Sequence, residues 1–175
     1  LEPEALIESL LFVADRAVSV EELATALDMP VEQVEAALER LSAGYQERGI
    51  RLQRKGDRLQ LVSAPEAGPQ IEKFLGLENS GKLSPAALEV LAIVAYRQPV
   101  TRTQVDAIRG VNSEGVLRSL VRRGLLEEIG RAETVGRPIL YGVTMEFLQH
   151  FGLESLQSLP QWETLGQELA AREQD

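Results

Sequence analysis

The chain repeats itself at a spacing of 82 residues, and this period limits the possible folds more than any single motif does. Without a gap, Pro3 falls on Pro85, Leu6 on Leu88, Leu11 on Ile93 and Phe12 on Val94. Val18 then falls on Val100, Ser19 on Thr101, Leu23 on Val105, Val34 on Val116 and Leu38 on Leu120. The matches keep the character of each residue and its helical phase. The 175 residues therefore read as two copies of a small module rather than one larger fold.

Each copy reads helix, helix, helix, hairpin. In the first, Pro3 opens a helix to about Asp15, since proline suits the first helical turn. Ser19 and Glu22 form a capping box that starts a short helix to Leu27. A third helix runs from Pro30 to about Glu47, with Val31, Val34, Ala37, Leu38 and Leu41 on one face. Residues 50–53 and 59–62 alternate as strands around a turn at Lys55-Gly56-Asp57, and a helix from Pro65 to Leu75 follows. In the second copy Ser84 caps a helix with Pro85 behind it, and Thr101 and Gln104 repeat the capping box. Val105 and Ile108 form the inner face of that short helix. Asn112 or Ser113 caps a third helix carrying Val116, Leu117, Leu120 and Val121, which stops near Gly124. Strands at 125–129 and 138–144 flank a longer loop, and a helix closes the copy at Met145 to Phe151. Three helices with a trailing hairpin is the winged-helix form of helix-turn-helix. The expected class is α+β, mainly helical, with two tandem winged-helix domains at 1–80 and 81–160 and a polar acidic tail at 161–175. Residues 76–82 read as linker, and 162–171 carry weak helical character.

Composition excludes several functions. There is no Cys, hence no disulfide, thiolate metal site or thiol nucleophile. The one His, His150, sits in an apolar run, Phe147 to Phe151, beside no Ser-His-Asp motif, which points to a structural or exposed role. Gly130 to Gly136 lacks the spacing and the Lys-Ser/Thr pair of a phosphate-binding loop. No metal, cofactor or catalytic residue is expected, so the chain reads as non-enzymatic. No run is long enough to span a bilayer, and the acidic N-terminus lacks a signal-peptide pattern. The expected location is cytoplasmic.

Net charge is −9 and uneven: residues 1–80 carry 8 Lys/Arg against 15 Asp/Glu, whereas 81–160 carry 9 against 8. The third helix of the first copy shows Glu32, Glu35 and Glu39, which would repel a phosphate backbone. In the second copy Arg118, Arg122 and Arg123 form a possible weak phosphate patch. Acidic neighbours such as Asp106 and Glu114 favour a solvated face laced with salt bridges instead. Direct DNA binding is therefore expected to be weak or absent. A DNA-binding transcriptional regulator is the competing reading.

Two apolar features remain. On the first helix Leu6, Ile7, Leu10, Leu11, Val13 and Ala14 form one broad arc, with Phe12 opposite among Glu8, Ser9 and Asp15. Phe12 is a candidate subunit contact, or is covered by its own chain. On the first helix of the second copy Leu88, Leu91, Val94 and Ala95 form the core stripe, while Ile93 and Tyr96 share another side. Leu140 lies on the strand face opposite Ile139, Tyr141 and Val143. Ile93, Tyr96 and Leu140 are candidates for holding a partner's apolar segment.

The run Ala95-Tyr96-Arg97-Gln98-Pro99-Val100-Thr101-Arg102 resembles the signature of the segregation and condensation protein B family. So do Ile108-Arg109-Gly110-Val111-Asn112-Ser113, Arg123-Gly124-Leu125 and, most strongly, Gly136-Arg137-Pro138-Ile139-Leu140-Tyr141 with Phe147-Leu148 and Phe151-Gly152-Leu153. These motifs cover about half the chain. One departure is Gly142, in Gly142-Val143-Thr144, where a Thr pair is the family pattern. The resemblance implies a homodimer joined through the N-terminal domains. It also implies a complex with a kleisin subunit (segregation and condensation protein A) and, through it, an SMC ATPase. That complex acts at the nucleoid in chromosome condensation and partition during the cell cycle and cell division.

Overall fold

Two proline-initiated helices start two similar structures. In the computed structural model, which describes residues 1–76 and 82–161, α1 (Pro3–Val13) and α5 (Pro85–Arg97) each carry proline in the first turn. The Ser84 hydroxyl adds a cap to α5 by accepting the Ala87 amide at 3.2 Å. Both capping boxes form as the sequence predicts. Ser19 opens α2 (Val20–Leu27), accepting the Glu22 amide at 3.1 Å while its own amide donates to Glu22 at 2.7 Å. Thr101 and Gln104 do the same for α6 (Arg102–Arg109) at 3.3 and 2.9 Å. The third helices are α3 (Val31–Gly44) and α7 (Glu114–Arg122). Of the two candidate caps for α7, Asn112 accepts the Glu114 amide at 2.9 Å, and Ser113 makes no side-chain cap.

Each wing is a three-stranded antiparallel sheet. β2 (Ile50–Lys55) and β3 (Arg58–Ser63) meet at Lys55↔Arg58 around a two-residue turn, in which Gly56 takes the left-handed conformation, φ 62°. The short strand β1 (Val18–Ser19) adds to β3, giving the order β1-β3-β2. The second sheet repeats this as β4-β6-β5, with β4 (Val100–Thr101), β5 (Leu126–Arg131) and β6 (Ile139–Val143). Its hairpin loop is longer, and its register shifts between Glu128 and Gly130. The expected helix from Pro65 begins as a 3-10 turn and continues as α4 (Gly68–Leu75); α8 (Met145–His150) closes the second copy.

Each copy has its own core. Ile7, Val34, Ala37, Leu38 and Leu59 are buried in the first, and Val90, Val94, Val105, Leu117, Leu120 and Leu148 in the second. Burying an aliphatic side chain of this size is worth about 1.5–3 kcal/mol.

The helical phase of the repeat is corrected by this packing. The buried positions Ile7 and Val90, Leu11 and Val94, and Val34 and Leu117 lie one residue out of step with the gapless alignment, whereas Leu38 and Leu120 are both buried in step with it. Consequently Leu88 is 45% exposed and does not belong to the core stripe; Ala87 and Val90 take its place. Val13, assigned to the apolar arc of α1, is 76% exposed. The β1–α2 and β4–α6 segments keep the 82-residue register, because the capping boxes and the strand pairs fix them locally.

The copies touch along β2, an edge strand. The Arg54 amide donates to the Glu154 carbonyl at 2.7 Å, and the buried Gln53 amide group donates to the Leu153 carbonyl at 2.9 Å. Gly152, at φ 65°, packs so closely on Pro65 that a Cβ would lie 2.7 Å from the proline ring. Residues 77–81 of the linker and 162–171 of the tail lie outside the described residues.

Candidate partner-binding surfaces

The first copy offers an apolar surface at the end of α1. Phe12 is 84% exposed beside Val13, and none of the described residues covers it. Its neighbourhood is otherwise tied down by polar contacts. The Tyr45 hydroxyl, on a ring buried under α1, donates to Glu8 at 2.6 Å, and Glu4 pairs with Arg40 across the helices. Burial, then the Glu8 carboxylate, pushes the Tyr45 pKa well above the ordinary tyrosine range. Phe74 and Leu75 at the end of α4 form a second exposed apolar pair. The sequence reading passed over it; a helical wheel of residues 68–75 puts Phe74 and Leu75 on one arc with Ile71, which reads as a core face and does not show their exposure.

The surface of α3 is acidic. Glu35 accepts two bonds from the Arg54 guanidinium, at 2.6 and 2.8 Å, and this bidentate contact holds its carboxyl below the usual range. That arginine is consumed by the pair.

In the second copy Ile93 and Tyr96 do come together. With Ala92, Ile108, Glu89 and Arg97 they line a groove of about 470 Å³ between α5 and α6. Ile108 was assigned to the inner face of its helix. The structure turns it outward, 54% exposed, because Val105 alone fills the core position. Ile108 is the groove residue the sequence reading missed: it sits three residues after Val105, at the border of the buried arc. The Tyr96 hydroxyl donates to the Pro160 carbonyl at 2.6 Å, so the end of the described chain already leans on this residue. Leu140 is partly buried on β6, opposite Thr101 and Gly130, away from the groove. On the same face, Gly142 packs against Gln98, whose Oε1 accepts the Val143 amide at 3.1 Å; a Cβ on Gly142 would lie 3.0 Å from that oxygen.

Of the three arginines in the candidate patch, Arg118 and Arg122 face the wing, whereas Arg123 is not part of that cleft. Glu114 sits between Arg102 at 2.9 Å and Arg118 at 2.7 Å, and Arg102 also approaches Asp106 at 3.9 Å. His150 is exposed, edge-on to Phe151. Among the described residues no three His, Asp or Glu side chains are grouped to hold a metal ion. No helix among them is long and apolar enough to cross a membrane.

Two winged helices in tandem, each with an open apolar surface, define a tandem winged-helix interaction module. The family model for "Segregation and condensation complex subunit ScpB" matches residues 5–162. Segregation and condensation protein B from Halalkalibacterium halodurans is 47% identical over 162 residues, covering 91% of this chain and 82% of the relative. The protein of that name from Clostridium botulinum is 39% identical over 172 residues, covering 97% and 89%. The crystal structure of ScpB from Mycobacterium tuberculosis is 38% identical, covers 87% of this chain and 96% of its own, and has a TM-score of 0.41. A crystal structure of a dimer of the ScpB N-terminal domain complexed with ScpA peptide is 30% identical, covers 41% and 91%, and has a TM-score of 0.39. The chain belongs to the segregation and condensation complex subunit ScpB family.

Proposed function

We infer that this chain is a non-enzymatic subunit of a bacterial SMC–kleisin complex that acts in chromosome condensation and segregation. In this reading the first domain forms a homodimer through the outer side of α1, with Phe12 in the contact. The second domain holds a helix of the kleisin in the groove of Ile93, Tyr96 and Ile108, with Leu140 as a second anchor. The kleisin links the chain to the SMC ATPase, and the chain works at the nucleoid in the cytoplasm without tight DNA binding of its own.

The observation that carries this reading is the open groove, in a chain whose family is defined over nearly its whole length. Two half-buried apolar residues one helical turn apart suit an amphipathic helix. In the relative solved as a dimer, the N-terminal domain is the part complexed with ScpA peptide. The test therefore has to separate a kleisin site in the second domain from one in the first. Titration of the kleisin encoded in the same genome into the full chain, followed by calorimetry, tests the reading. The Ile93→Glu variant should lose binding by about 2 kcal/mol or more, with circular dichroism unchanged. Unaltered binding by that variant would move the kleisin site to the first domain.

A further inference from the structure

The cleft between α7 and the wing of the second copy is a second candidate site. It lies apart from the groove of Ile93 and Tyr96, and the argument for it does not depend on the kleisin reading. Its volume is about 580 Å³. Arg102, Arg118, Arg122 and Arg131 line it, over a floor that includes Ile139 and Tyr141. In a chain of net charge −9 this is a local reversal of sign. Glu114 bridges Arg102 and Arg118 and offsets part of their charge, which leaves Arg122 and Arg131 to carry the positive charge of the cleft. Arg122 has no hydrogen-bond or ion-pair partner among the described residues. Burial first, and then the Glu128 carboxylate, raise the pKa of Tyr141, so its ring stays neutral on the floor.

We propose that this cleft binds an acidic peptide segment bearing aliphatic side chains, supplied by a partner protein. Carboxylates would pair with Arg122 and Arg131, and an aliphatic side chain would cover Ile139 and Tyr141. Charge complementarity selects a peptide over nucleic acid. Glu114 and Glu128 line the same cleft and would face the dense phosphates of a duplex, which carries one charge per roughly 1.7 Å. A peptide places its few carboxylates beside the arginines and keeps them clear of the glutamates.

The test is fluorescence anisotropy on the full chain with three labelled probes: a peptide of about twelve residues rich in glutamate and leucine, a poly-glutamate of the same length, and a duplex DNA of about 20 base pairs. At about 0.1 M salt, where surface charges act over roughly 10 Å, the mixed peptide should bind at least about tenfold more tightly than either other probe. Arg122→Glu should weaken it by about tenfold or more. Glu128→Gln should tighten it, and Arg48→Glu on the first domain should change nothing. Absence of mixed-peptide binding, or binding indifferent to Arg122→Glu, overturns the proposal. Tighter binding of the duplex that Arg122→Glu abolishes also overturns it, in favour of a nucleic-acid site.

Discussion

The two copies share one plan and spend their helices differently. In the first, α1 buries Ile7 and Leu11 and leaves Phe12 and Val13 in the open. In the second, α5 is two residues longer at its C-terminal end and buries Val94, the residue that the gapless repeat pairs with Phe12. The strands and capping boxes between the helices stay in register, because local hydrogen bonds fix them. Helix faces are set only by packing, and a one-residue rotation of about 100° exchanges a buried position for an exposed one. The same ancestral layout thus gives a first domain with an exposed aromatic and a second with a groove.

The sharpest way to break this comparison is to place a charge at both matched positions. Val94→Glu puts an unpaired carboxylate in a sealed core and should unfold the second domain, a loss of more than about 4 kcal/mol. Phe12→Glu should leave the first domain folded and change the stability of the dissociated chain by no more than about 0.5 kcal/mol, since the site is exposed within its own chain; any further loss would be that of the dimer contact. Thermal unfolding followed by circular dichroism reads both. Equal losses at the two positions would restore the simple 82-residue phase.

The contact between the copies is the next target. Gly152→Ala must place a β-carbon into Pro65 and hold an alanine at φ 65°, a backbone cost of about 1–2 kcal/mol by itself. The junction should loosen while both cores survive. Small-angle scattering should then show a larger radius of gyration with unchanged helix content, and an unchanged radius would show that the Gln53 and Arg54 bonds, with the Arg51–Glu154 and Lys55–Glu127 ion pairs, hold the domains without the Gly152 contact.

A smaller effect sharpens the comparison of the two capping boxes. The Arg16 guanidinium beside Glu22, then the Ser19 amide, lower its carboxyl pKa from 4.5 to about 2. Gln104 holds the matched position in α6 and does not titrate there. Because the folded value lies below the ordinary one, the Glu22 contribution is complete above about pH 4.5 and is lost as pH falls through about 2. Carboxyl chemical shifts followed by NMR should show that low midpoint. A midpoint near 4.5 would mean that the Arg16 contact is not maintained in solution.

The order of elements and both caps were legible because they rest on contacts within a few residues: Ser19 with Glu22, Thr101 with Gln104, Pro85 behind Ser84. The outward turn of Ile108 and Leu88 was not, since it depends on which of two adjacent apolar residues the neighbouring helix meets. Ile93 and Tyr96 were legible as a pair from their spacing on one helix. The third member of their groove comes from α6, and a helical wheel of one helix cannot show it. The cleft of Arg118 and Arg122 was visible only as scattered charge, because its floor is supplied by Ile139 and Tyr141 on the wing.

The central claim is a division of labour between the copies, and one paired measurement tests it most directly. Light scattering of Phe12→Glu and Ile93→Glu, each alone and each mixed with the kleisin, reports self-association and partner binding on the same samples. Phe12→Glu should run as a monomer that still binds kleisin, and Ile93→Glu as a dimer that does not. A monomeric Phe12→Glu that has lost the kleisin, beside an Ile93→Glu dimer that keeps it, would place both functions in the first domain and contradict the account.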